Sequence, residues 1–117
     1  MTILVVDDEK VQLETLKRGL RTRGFQVHTA LNGRDALKKL KNSGKVDLVI
    51  SDFSMPEMNG VELLEKIRDN FNHIPVIIMT AFGDREIALD AERHGCNGFI
   101  DKPFTLDELI SEVNHNI

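Results

Sequence analysis

Apolar residues along the 117-residue chain gather into five short runs rich in β-branched side chains. They are ILVV from Ile3, QVHTA from Gln26, DLVIS from Asp47, PVIIM from Pro75 and GFI from Gly98. The starts lie 23, 21, 28 and 23 residues apart, with helical periodicity in the intervening segments. Strands alternating with helices at this interval predict an α/β domain, a (βα)5 unit whose parallel sheet has helices on both faces. ILVV, DLVI and VIIM are continuously apolar, as parallel strands covered on both sides must be; QVHTA alternates and predicts an edge strand.

The predicted helices carry matching stripes. Leu13, Leu16 and Leu20 share one face of the first, Ala36, Leu37 and Leu40 of the second, and Leu64, Ile67 and Phe71 of the third. Leu106, Leu109, Ile110 and Val113 give the fifth an i, i+3, i+4, i+7 pattern. Asn59 with Glu62 and Thr105 with Glu108 predict capping boxes. Gly24, Gly44 and Gly95 predict left-handed ends for helices one, two and four. The fourth helix, roughly Asp84 to His94, has only the thin stripe Ile87, Ala88 and Ala91, and Leu89, about 200° from Ile87, should face solvent. A single exposed leucine is common on soluble proteins. No linker or composition break appears, so residues 1–117 read as one domain.

Composition narrows the function. The chain is 41% hydrophobic and 29% charged, which suits a globular fold. Fifteen Lys+Arg against nineteen Asp+Glu leave a formal charge of −4, which argues against charge-driven contact with nucleic acid or an anionic membrane. No apolar run approaches the ~20 residues of a membrane span, and MTILVVDDEK lacks the basic start of a signal peptide. Cys96 is the single cysteine, so an intrachain disulfide and a cysteine-based zinc site are excluded and a cytoplasmic setting is expected. Beside Gly95, Cys96 reads as a small buried apolar residue. His28, His73, His94 and His115 have no metal spacing and none ends a strand, so they receive no role.

Sites in open α/β sheets form beyond the carboxyl ends of the strands. There the chain places Asp7-Asp8, with Glu9 beyond, after strand one, Asp52 after strand three, Thr80 after strand four and Asp101-Lys102-Pro103 after strand five. Three carboxylates on one rim repel one another unless one is protonated or a cation sits among them. A hard, oxygen-seeking cation such as Mg²⁺, or Mn²⁺ in its place, answers that need. Carboxylates, a hydroxyl and an ammonium around such a cation suit phosphoryl transfer, whose loose transition state needs positioning and charge neutralisation. Asp52, alone after a central strand, is the candidate nucleophile. The adjacent pair Asp7 and Asp8 is better suited to metal.

These pieces carry a resemblance. LVVDDE (4–9), D-x-x-M-P-x-M-N-G (52–60), MTA (79–81), the Gly98-Phe99 strand and DKPF (101–104) together resemble the receiver domain of two-component response regulators along essentially the whole chain. The resemblance implies a flavodoxin-like sheet in the order 2-1-3-4-5. It implies that Asp52 accepts a phosphoryl group from a histidine-kinase phosphohistidine, with Mg²⁺ held by Asp8, Asp52 and the Ser54 backbone carbonyl, and by Asp7 through water. Thr80 and Lys102 would contact phosphoryl oxygens, and the Lys102–Pro103 bond would be cis. Thr80 and Phe99 would move as a switch that reshapes the surface of helix four, strand five and helix five. That places Leu89 on the output face. The implied partners are a sensor histidine kinase or phosphotransfer protein, and a downstream protein, output domain or second copy of the chain.

Residues two beyond the phosphoacceptor and two beyond the threonine tune phosphoryl lifetime in this family; here they are Ser54 and Phe82. Phe82 is expected to crowd the path of water, and Ser54 to orient water only weakly, giving a long-lived phosphoryl state. Three other functions fit the pattern less well. An aspartyl phosphohydrolase would show D-x-D after strand one and a cap domain. An FMN binder would need a hydroxyl- and glycine-rich loop where Asp7-Asp8-Glu9 stand. A docking-only domain would not need every phosphorylation residue. The unit runs from Ile3 to near Asn116, which suits either a stand-alone regulator or a receiver taken from a longer protein.

Overall fold

Alternate residues of a strand face opposite sides of its sheet, so a strand apolar at every position needs cover on both sides. The computed structural model, which describes residues 1–71, 73–81 and 84–117, supplies that cover. Strands β1 (Thr2–Val6), β2 (Gln26–Ala30), β3 (Leu48–Asp52), β4 (Val76–Ala81) and β5 (Gly98–Lys102) alternate with helices α1 (Lys10–Thr22), α2 (Gly33–Asn42), α3 (Gly60–Asn70), α4 (Arg85–Arg93) and α5 (Leu106–His115). The strands form one parallel sheet in the order β2-β1-β3-β4-β5. All five residues of the central strand β3 are buried, while β2, at an edge, alternates.

Two cores follow from the pleat. Leu4, Val6, Val49 and Ile78 face α2, α3 and α4, meeting Ala36, Leu40, Leu64, Ile67 and Ala91. Ile3, Val5, Ile50, Ile77 and Met79 face α1 and α5, meeting Leu13, Leu16, Leu20, Leu109 and Val113. Each such fully buried aliphatic side chain contributes roughly 1.5–3 kcal/mol.

Both capping boxes form, Asn59 with Glu62 and Thr105 with Glu108. The three helix-ending glycines all take positive φ. Phe71 caps α3 (φ −141°) and packs half-buried against the same core as Leu64 and Ile67, on the face the sequence predicts. One reading shifts. Cys96 is half-buried, its thiol donating to the Gly98 carbonyl at 2.7 Å, because the loop entering β5 passes over the core's margin.

Gly60 fixes how α3 meets the sheet. A Cβ there would lie 2.7 Å from the Asp52 carbonyl oxygen and 2.9 Å from Phe53 Cα, both rigid backbone. The absent side chain lets the Gly60 N–H reach the Phe53 carbonyl at 2.8 Å and close the loop after β3. Gly60→Ala should therefore cost about 1–3 kcal/mol, the usual range for overpacking. Urea unfolding measures it, and an unchanged midpoint would show that the loop yields freely.

Candidate functional site

Parallel strands end on one side of the sheet, so the order β2-β1-β3-β4-β5 draws distant residues to one rim. Val6 of β1 pairs with Ser51 of β3, which sets Asp7 and Asp8 beside Asp52, the last residue of β3. Asp52 pairs with Met79, putting Thr80 one residue beyond, and Ala81 pairs with Lys102, the last residue of β5. Asp8, Asp52, Ser54, Thr80 and Lys102 all line a cleft of about 1250 Å³. Asp7 lies beneath it, 1% exposed, whereas Asp8 is open to solvent. Phe99 lies elsewhere, half-buried against the core under α2, α3 and α4.

Asp7, Asp8 and Asp52 each offer a carboxylate oxygen within 4.8 Å of the others. Lys102 Nζ meets Asp52 Oδ1 at 2.6 Å. One oxygen of Asp7, Oδ1, accepts from the Glu9 backbone N–H at 3.0 Å; the other, Oδ2, is buried without a hydrogen-bond partner. Such an oxygen is costly unless something electropositive or a hydrogen-bond donor meets it. Donor chemistry and geometry thus suit a hard cation with bound water.

Burial pushes the Asp7 carboxyl up from 3.8 to about 6; the neighbouring Asp52 charge adds to the rise, while the Glu9 N–H and Lys102 oppose it. Burial likewise raises Asp52, and the hydrogen bond and charge of Lys102 pull the other way. Lys102 thus offsets part of the crowding that disfavours charge on Asp52. The Lys102–Pro103 peptide is cis.

The sequence left some features unread. The cleft continues between α1 and α5, lined by Gln12, Thr15, Leu16, Gly19, Phe104 and Leu106. Its signal was Gly19, whose missing side chain brings Leu106 Cδ1 to 3.0 Å of a would-be Cβ. Glu57, in the loop between Asp52 and α3, has φ +68°, which the motif spacing did not announce. Phe82, expected to influence water access, lies outside the described residues.

Comparison with known proteins now decides the family. Residues 3–114 match the model of the response regulator receiver domain. The chain belongs to that family. This receiver is 42% identical over 117 residues to chemotaxis protein CheY-3 of Vibrio cholerae, covering 97% of the chain and 89% of the relative. It is 41% identical over 107 residues to regulatory protein AtoC of Escherichia coli, covering 92% of the chain but only 23% of AtoC. The receiver therefore spans nearly all of one relative and under a quarter of another. Response regulator TrrA of Thermotoga maritima, solved with Mg²⁺-BeF, superposes with a TM-score of 0.88 at 37% identity, covering 99% of this chain and 98% of that one. The receiver is a signalling fold by family, and among the described residues no helix is long and apolar enough to cross a membrane.

The crowding has a measurable sign. Asp7 holds its proton more tightly folded than unfolded, so the metal-free receiver loses stability as pH rises from about 4 through about 6. Asp7→Asn in EDTA should raise stability at pH 7.5 by about 1–2 kcal/mol, discounted for water in the cleft, and the gain should vanish by about pH 4. Thermal unfolding across pH checks this. A destabilised variant at pH 7.5 would contradict it.

Proposed function

We propose that the receiver is a phosphorylation-driven switch in which Asp52 accepts a phosphoryl group from the phosphohistidine of a sensor histidine kinase or phosphotransfer protein. The observation that carries this reading is the convergence of Asp7, Asp8, Asp52 and Lys102 at one rim, with an unpartnered buried oxygen on Asp7. A carboxylate oxygen of Asp52 attacks phosphorus in line with the departing imidazole nitrogen. The P–O bond forms as the P–N bond breaks, and the imidazole takes up a proton as it leaves.

Mg²⁺, or Mn²⁺ in its place, would be held by Asp8, Asp52 and the Ser54 backbone carbonyl directly and by Asp7 through water, and when bound it neutralises charge on the transferring oxygens. The Lys102 ammonium, already on Asp52 Oδ1, swings onto a phosphoryl oxygen, and the Thr80 hydroxyl bonds another. Ser54, exposed at the rim, leaves water weakly ordered. Residues 1–117 act as a single receiver unit in this reading.

Signal then leaves by the α4 side of the sheet. Thr80 stands two residues beyond Ile78, and Ile78 pairs with Phe99, so Thr80 and Phe99 share the sheet face under α4. Movement of Thr80 toward the phosphoryl group opens space that Phe99 enters, changing the α4–β5–α5 surface. Leu89, 53% exposed on α4, lies where a downstream protein, an attached output domain or a second receiver would contact it. The reaction belongs in the cytoplasm, where kinase and Mg²⁺ are available.

Incubation with Mg²⁺ and acetyl phosphate should yield an acid-stable, base-labile phosphate on the wild type and none on Asp52→Asn. Equal incorporation by the variant would assign the acceptor elsewhere.

A further inference from the structure

Helix α4 is thinly anchored: Ala91 is its one fully buried residue, with Ile87 and Ala88 half-buried. Polar contacts gather instead at its C-terminal end. Arg68 of α3 donates from Nε and Nη2 to the Gly95 carbonyl at 3.0 and 2.8 Å, and from Nη1 to the Ile74 carbonyl at 2.7 Å. That arrangement fixes the turn after α4 to α3 and to the entrance of β4. His94, the residue that caps α4, sits immediately before that turn.

The ring of His94 touches two elements. Its Nδ1 lies 2.8 Å from the Asp90 carbonyl oxygen, and its Nε2 lies 3.1 Å from Oε1 of Glu65 on α3. Both of those oxygens are acceptors when Glu65 is ionised. A neutral imidazole has a single N–H, so only the imidazolium satisfies both contacts as hydrogen bonds. Other negative groups stand close to the ring. The Asp90 carboxylate lies 3.6 Å from Nδ1, and the last carbonyls of α4 add the negative end of the helix dipole. Of the cations nearby, Arg68 is turned onto the Gly95 and Ile74 carbonyls, and Arg93 is exposed on the last turn of α4. The other end of the helix begins at Asp84, which lines the same cleft as Asp52 and Thr80. Helix α4 thus starts at the reacting site and is clasped at its far end.

We propose that His94 is a positioning residue: as the imidazolium it clasps the C-terminal end of α4 to Glu65 of α3 in the resting receiver and opposes the movement of α4 that phosphorylation at Asp52 drives. Loss of the imidazolium proton leaves one of the two acceptors without a donor, so the clasp loosens as pH rises and switching becomes easier. The proposal rests on the reading of Asp52 as phosphoacceptor.

The test uses beryllofluoride with Mg²⁺ as the probe, its affinity for the whole chain measured by calorimetry at pH 6 and pH 8. At pH 6, Glu65→Gln and His94→Ala should each bind about 2- to 5-fold more tightly than wild type, the scale of a partly exposed ion pair. The double variant should bind no more tightly than either single one. At pH 8 the ratio of variant to wild type should fall toward one. Asp7 titrates in every variant, so its effect cancels in the ratios. Unchanged or weaker binding at pH 6, or a ratio that persists at pH 8, would overturn the clasp. Failure of the wild type to bind beryllofluoride would count against the Asp52 reading instead. The clasp would then be judged by amide hydrogen exchange in the last turn of α4 at pH 6, expected to be faster in His94→Ala; equal protection would overturn it.

Discussion

The constraint on which the rest of the molecule depends is that an apolar parallel sheet holds three carboxylates where they cannot separate. Val6 and Ser51 stand opposite each other in adjacent hydrogen-bonded strands, and both are buried. Asp7, Asp8 and Asp52 follow from those strand ends, so their crowding is set by the packing of β1 and β3 and not by the acids themselves. Lys102 relieves part of the repulsion through its contact with Asp52. The remainder appears as the raised carboxyls of Asp7 and Asp52 and the unpartnered Asp7 Oδ2. A site built this way is destabilising when empty of cation, and it gains most from ligands that bring positive charge and ordered oxygen.

From the rim, the consequences run in two directions. Toward α1 and α5 the cleft continues past Leu16, Phe104 and Leu106. Toward α4 the path leads through Thr80 to the sheet face it shares with Phe99, and on to a helix with little apolar hold on the core. With one fully buried residue, α4 is held largely by a few polar contacts. Arg68 and His94 supply them at the far end.

Much of this was legible in the sequence, for physical reasons. Continuous apolar runs mark strands covered on two faces, and the alternating QVHTA marks an edge, so the (βα)5 layering followed from pattern, while the strand order 2-1-3-4-5 came only with the family resemblance. Asp52, Thr80 and Lys102 were legible because chemistry in such sheets gathers where strands end. What stayed hidden depends on contacts the chain order does not express. Asp7 and Asp8 are identical neighbours in sequence, yet one is buried just beyond the end of β1 and the other is exposed. The left-handed Glu57 sits at the centre of a tight turn in which the Met58 N–H reaches the Pro56 carbonyl at 2.7 Å, a contact its own residue type does not announce. His94 had no motif, because its meaning comes from Glu65, 29 residues earlier and on another helix.

Titrating Mg²⁺ against thermal stability decides whether a hard cation relieves the crowded carboxylates of this rim. At pH 7.5 the melting temperature should rise saturably with Mg²⁺ for the wild type, as expected for a ligand that binds only the folded state. In Asp52→Asn, with one charge removed, the metal-free protein should melt higher and respond less. A wild-type melting temperature indifferent to Mg²⁺, or a response undiminished in Asp52→Asn, would contradict the account.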